Sequence, residues 1–288
     1  ILHELKKSGV KEEKIFSILN QKKTTGDTDS LLAGSIGRAK NVTLGYFFHL
    51  SQKDISHLSE KDISEKTKLI INSRYQMIKA PEKAAADYAL IHGYAPEVNL
   101  KILSDVAEGS GYFNAIPDKD GAMRWSPLVI KFRGDYYPSL AVSVLRQYLD
   151  SPVLSLNLQE YGVENLGIGR IKIPTDEAGR MLINYLGPAK TFSHYSVSDI
   201  IEGKIPPENL RDKIVLVGAT AVGIYDMRVT PFSAVYPGVE IHATVIDNIL
   251  RGNFLIHSGL TKLIDVCLII LLGLVTGFII SRLRAVSG

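Results

Sequence analysis

Val266 to Ile280 reads VCLIILLGLVTGFII, a run without a charge or a polar stripe. Such a run is either the core helix of a soluble protein or a bilayer span. Adding Leu263 and Ile264 extends it to nearly the ~20 residues needed to cross the hydrocarbon layer, with Asp265 taken in at the edge. Lys262 and Asp265 can reach one interface by snorkelling, and Arg282 and Arg284 follow the other end. The uninterrupted run and the two arginines favour a span that contains Leu263, Val266 and Ile280. An excess of Lys and Arg beside a span marks the cytoplasmic side. The expectation is therefore a globular part, residues 1–258, outside the membrane, and residues 259–288 as a transmembrane helix and the start of a cytoplasmic segment.

The whole chain of 288 residues is 45% apolar and 22% charged, enough to bury an ordinary core. A net charge of +3 is too small to point to nucleic acid. The single cysteine, Cys267, lies inside the apolar run, so neither a disulfide framework nor a cysteine metal site can be built. The chain opens on Ile1 with no signal peptide, and reads as a fragment with an upstream part missing.

Periodicity predicts a helix over Lys11 to Asn20, and a second helix capped by Asp27 or Asp29 and running to Ala39. A strand over Val42 to Phe48 follows. Leu50 to Lys68 is polar and reads as a solvated excursion. A short strand is expected at Leu69 to Asn72, and a helix from Leu100 to Glu108. Two strands, Gly111 to Ile116 and Met123 to Phe132, are expected on either side of a PDKDG turn. A helix over Ser139 to Leu149 and strands at Val153 to Leu158, Ile168 to Ile173 and Met181 to Tyr185 come next. Short helical turns follow Ser196 or Ser198 and Pro206, and Ile214 to Val217 reads as a buried strand. After Tyr236-Pro237-Gly238, a helix is expected with Val239, Ala243, Ile246 and Leu250 on its apolar face and Glu240, Thr244, Asp247 and Arg251 on its polar one. The alternation predicts an α/β fold, a mixed β-sheet with flanking helices, followed by the transmembrane helix, with one domain before it rather than two.

Few motifs carry chemistry. DKDG (Asp118 to Gly121) resembles the start of a calcium loop, but Ala122, Met123 and Trp125 follow where oxygen ligands would stand. A hairpin turn with Arg124 paired to Asp118 or Asp120 is the plainer reading. GATAVG (Gly218 to Gly223) lacks the Lys-Ser/Thr of a phosphate loop, and GIGR (Gly167 to Arg170) is half of a dinucleotide fingerprint. Asp226 and Arg228 stand just beyond an expected strand end, a common ligand position in α/β sheets. His242 lies near the start of the last soluble helix. The histidines make no zinc spacing, and no G-x-S-x-G elbow occurs. No metal and no cofactor are expected.

Several blocks in order carry a family resemblance: GYFNAIPDKDGAMRWSPL from Gly111, YYPSLAVSVLRQYL from Tyr136, IPTDEAGRMLINYLGP from Ile173, FSHYSVSDIIEGKIP from Phe192, and Asp212 to Leu255. In these the chain resembles the type-2 CHASE domain, an extracytoplasmic sensory module of bacterial transmembrane receptors. The resemblance implies a membrane helix before the sensor, further spans after it, and a cytoplasmic effector, commonly an adenylate/guanylate cyclase and otherwise a kinase. It implies no catalytic site and no defined ligand.

The expectation is a sensor in the cell inner membrane with its globular part periplasmic or extracellular. It would answer an unidentified small-molecule or protein signal and work as a homodimer. Asp226, Arg228 and His242 are the first candidates for the responsive region, and Asp118, Asp120, Arg124, Asp176 and Asn184 the second. The alternatives are a membrane-tethered extracytoplasmic hydrolase and a ligand-free structural or assembly domain.

Overall fold

A computed structural model describes residues 27–81, 89–220, 226–256 and 259–286. The helix expected over Lys11 to Asn20 lies outside the described residues. Helix α1 (Thr28–Ala39) begins where the Asp27 carboxylate accepts from the Ser30 backbone N–H at 3.1 Å, and ends on Lys40 in the left-handed region, φ 53°. Strand β1 (Thr43–His49) follows and becomes the middle of a three-stranded sheet.

The polar stretch read as a plain excursion is ordered. It holds a 3-10 turn (Gln52–Ile55) and helix α2 (Glu60–Lys68). Ser59 and Asp62 form a reciprocal capping box, and buried Ile63 anchors the helix. The strand expected at Leu69 to Asn72 is instead a second 3-10 turn, Ile71–Ser73. Its cause is local: the Ser73 hydroxyl donates to the Ile70 carbonyl at 2.7 Å and closes the backbone into a turn.

Strand β2 (Met77–Lys79) comes next. Strand β3 (Ala95–Glu97) then pairs antiparallel to β1, and the helix expected to Glu108 shrinks to α3 (Lys101–Ser104). Strand β4 (Gly109–Tyr112) lies parallel to β1, with Gly45 opposite Gly111. The expected hairpin across PDKDG does not form. The turn closes, with Asp118 N–H donating to the Ala122 carbonyl at 2.9 Å. The chain beyond it then splits into β5 (Trp125–Pro127) and β6 (Val129–Phe132), neither paired with β4. Strand β6 instead turns at Arg133-Gly134 into β7 (Asp135–Pro138).

Helix α4 (Leu140–Tyr148), capped by the Ser139 hydroxyl, packs on β4 and β1. It comes close because Gly111 has no side chain: a Cβ there would sit 2.6 Å from the Leu140 Cα. Strands β8 (Leu154–Gln159), β9 (Gly162–Ile168) and β10 (Ile171–Pro174) form a meander, with β2 parallel to β8 on its far edge. The strand expected over Ile168 to Ile173 is broken by a turn at Gly169-Arg170, with Gly169 at φ 57°, and β9, which ends at Ile168, was not expected because Glu164 and Asn165 interrupt its apolar pattern midway. Strand β11 (Arg180–Leu182) pairs with β5, and the short helix α5 (Val197–Ile201) follows.

Ile214 to Val217 is not a strand. Ile214 and Leu216 pack against the core, while Val215 and Val217 are 50% and 84% exposed. The segment alternates as a strand would, but is paired with no strand among the described residues. Strands β12 (Met227–Arg228) and β13 (Tyr236–Pro237) form a two-residue ladder that leads directly into helix α6 (Gly238–Arg251), which ends on Gly252 at φ 63°.

Two apolar clusters hold these elements. The larger gathers Leu128, Leu145, Leu154, Leu156, Leu166, Val245 and Ile249 with their neighbours. The smaller is aromatic, built on Tyr46, Phe48, Tyr112, Phe132 and Tyr137. The result is mixed sheets with flanking helices, as expected. Helix α7 (Gly259–Val286) completes the chain. Its segment Leu263–Arg282 has a mean hydropathy of 2.8, with none of it buried, and is long and apolar enough to cross a bilayer. Leu263, Val266 and Ile280 are all exposed on it. A soluble core helix of this composition would be covered by its own chain.

Candidate functional site

The end of the sheet region nearest α6 in sequence collects the first three candidates. Strand β12 carries Arg228 opposite Tyr236, and the Asp226 carbonyl accepts from the Gly238 N–H at 2.8 Å. The Asp226 carboxylate also accepts from the Val239 backbone N–H, so it sits at the amino end of α6. Gly238 is needed there, because any Cβ would collide with that carboxylate. Arg228 Nη2 approaches Asp226 Oδ1 at 3.6 Å, with both side chains a little over one-third exposed. This pair is long and wet, and adds little stability.

Electrostatics makes the cluster more than a surface pair. Burial holds the Asp226 carboxyl above its usual range, against the opposing pull of Arg228 and of the Val239 N–H. Burial, helped by the Arg228 charge, pushes the His242 imidazole down to about 4. Arg228 Nε is buried with no acceptor. One cation thus faces a carboxylate and a neutral imidazole, and its own donors are only partly used.

The turn candidates pair with one another, as the plainer reading of DKDG required. Arg124 donates to Asp118 Oδ2 at 2.9 Å and to both oxygens of Asp120, at 2.9 and 2.7 Å. The Arg124 fork holds the exposed Asp120 carboxyl down to about 2. The turn lies beside the first cluster, since Ala122 bridges Val229 and the Met123 N–H donates to the Val229 carbonyl at 2.8 Å. Asp118, Asp120 and Arg124 therefore brace β12.

Asp176 and Asn184 sit apart from this cluster. Asp176 accepts from the Ala178 and Arg180 backbone and from Arg180 Nε at 2.8 Å, which locks the turn before β11. It lines a cavity of about 310 Å³ with Trp125, Tyr161 and Arg180. The Arg180 guanidinium lies 5.1 Å from the Trp125 ring centre. At Asn184 the main chain is what matters: its N–H and carbonyl are both taken by the Asn248 side chain, at 2.9 and 3.0 Å. Among the described residues no cluster of three or more His, Cys, Asp or Glu could hold a metal ion.

A model of the CHASE2 domain matches residues 8–278. The chain belongs to the CHASE2 domain family. CHASE2 is an extracytoplasmic sensory domain family, and the match covers the sheets, α6 and most of α7. No curated protein and no solved structure matches the chain.

The sequence reading missed one group of residues in this CHASE2 domain. Glu240, Thr244 and Asn248, two of them placed on a polar outer face, are 2%, 0% and 0% exposed. The Glu240 carboxylate accepts from the backbone N–H of Lys190 at 2.9 Å and of Phe192 at 3.3 Å, and His194 Nε2 stands 3.8 Å away. Helix α6 is thus tied to the 184–194 chain by buried polar side chains, and Leu250, assigned to the apolar face, is exposed. Their spacing, every fourth residue, is the signal that was present: a polar stripe between two apolar ones.

Proposed function

We propose that this CHASE2 domain is the outside part of a membrane-bound bacterial signalling receptor, anchored in the inner membrane by α7, with a cytoplasmic cyclase or kinase as its output. The observation that carries this reading is the place of the Asp226–Arg228–His242 cluster. It abuts the amino end of α6, the last helix before α7, and only seven residues separate α6 from α7. A signal that changes the charge or contacts of the cluster moves α6, and α6 moves the span. Any stimulus must do so by favouring one of two arrangements over the other. A homodimer is part of the proposal, because cyclases and histidine kinases usually work in pairs.

Asp226→Ala tests the reading in the intact receptor. The effector activity should shift in its basal level or its response, while the unfolding free energy from urea melts stays within about 1 kcal/mol of the parent, as befits a long, partly exposed pair. Unchanged signalling by a folded Asp226→Ala receptor removes the cluster from the signal path.

A further inference from the structure

A second cavity of about 130 Å³ lies where α4 meets β1, β4 and the 3-10 turn Ile71–Ser73. That is on the order of ten times the room one water molecule needs, enough for about six heavy atoms or a few more. Its lining is polar in an unusual way. Ser143 Oγ and Gln147 Nε2 are buried and have no hydrogen-bond partner, and Tyr46 Oη, buried beside the Ser73 hydroxyl, makes no hydrogen bond of good geometry with it. Tyr46 is 2% exposed and Ser143 9%. Buried polar atoms are nearly always paired, and each unpaired one costs stability. Three on the wall of one cavity mark it as built for an occupant.

Each orphan is held in place. Thr43 donates to the other end of the Gln147 amide, so one end of that amide stays unpaired. Gly111 gives the Ser143 hydroxyl its room, since a Cβ there would stand 2.7 Å from it. Burial pushes the Tyr46 phenol far above its usual range, so it stays a neutral hydroxyl. Two charges complete the lining. Arg146 spends its Nε on the Pro152 carbonyl at 3.1 Å, which aims the guanidinium, and Glu108 is exposed at the rim. Among the described residues neither makes an ion pair.

We propose that this cavity binds a small zwitterion of amino-acid size, its carboxylate toward Arg146, its ammonium toward Glu108, and its remaining polar atoms hydrogen-bonded by Tyr46, Ser143 and Gln147. One unpaired cation and one unpaired anion suit a ligand carrying both charges and no net charge. A guanidinium grips a carboxylate by paired donors, and the neutral hydroxyls bond either end without adding charge. The assignment rests on the sensor reading only for its use, because binding is measured without any effector. Loss of binding would leave the Asp226 signalling test untouched, and the reverse also holds.

The test is thermal unfolding of the full chain in lipid nanodiscs with each of the common L-amino acids, and with glycerol and erythritol as neutral polyols. At least one amino acid should raise the midpoint in a saturable way. Arg146→Gln and Tyr46→Phe should each weaken its apparent affinity about tenfold or more. The ligand-free Tyr46→Phe chain should unfold at the parent's midpoint or above it, because the lost hydroxyl made no hydrogen bond of good geometry. Three results overturn the proposal. One is no amino-acid response up to on the order of 10 mM, whether or not the polyols act. Another is a response that both variants keep. The third is a clear fall in the ligand-free midpoint of Tyr46→Phe, which would show the hydroxyl already paired.

Discussion

His242 and Asp226 are displaced in opposite directions by the same burial, and the signs matter. The ordinary histidine value is about 6.5; folding lowers His242 to about 4. Its contribution to stability is therefore complete above pH 6.5 and is lost as pH falls from there to 4, because the unfolded chain takes up a proton that the folded one refuses. The effect is on the order of 3 kcal/mol. Asp226, raised by burial, adds stability at low pH that is lost as pH rises through its folded value. Urea midpoints of the chain in detergent should show an acid-side loss between pH 6.5 and 4 that His242→Gln removes, leaving the Asp226 slope behind. Equal pH profiles for parent and variant would contradict the burial of His242. The sequence could name these residues because charged side chains beside a small-residue turn stand out. It could not name Glu240 or Asn248, since a polar side chain on a helix reads as solvent-facing until the 184–194 chain is seen to cover it.

Helix α4 shows what patterning can and cannot supply. Its existence and its Ser139 cap were readable from spacing and residue type. Its distance from β4 was not, because that distance depends on one missing Cβ. Gly111→Ala should force α4 off the sheet and cost about 1 to 3 kcal/mol by overpacking. Gly34→Ala, whose new Cβ would meet no atom closer than 3.5 Å on exposed α1, should be neutral or stabilise by up to about 1 kcal/mol. Equal effects of the two in urea melts would refute the close approach. Strand pairing failed in the reading for a similar reason. Each stretch of Met123 to Phe132 had strand character, but neither took β4 as partner: β5 pairs with the distant Arg180–Leu182, and β6 with β7 across the next turn. The 3-10 turn at Ile71–Ser73 escaped because a single serine bond outweighed three apolar residues, Leu69 to Ile71.

For the molecule as a whole, the apolar helix α7 sets the frame. Among the described residues nothing covers its apolar surface, and a bilayer would hide it. The proposed topology puts the arginines after the span on the cytoplasmic side and the folded part outside. Lys53→Cys in a Cys267→Ser background, on an exposed 3-10 turn, should be labelled in intact cells by a membrane-impermeant maleimide, once the outer membrane, if present, is permeabilised. Labelling only after the inner membrane is broken would invert the topology.

Composition and local spacing sufficed for the α/β class, the span-length apolar helix, the helices with strong caps and the family to which the chain belongs. These depend on interactions a few residues long, or on transfer of one segment into lipid. The sheet partners, the buried face of α6 and the unpaired hydroxyls beside α4 depend on groups brought together from as far apart as Tyr46 and Ser143. Burial is a property of what lies across the gap, and no local pattern records it.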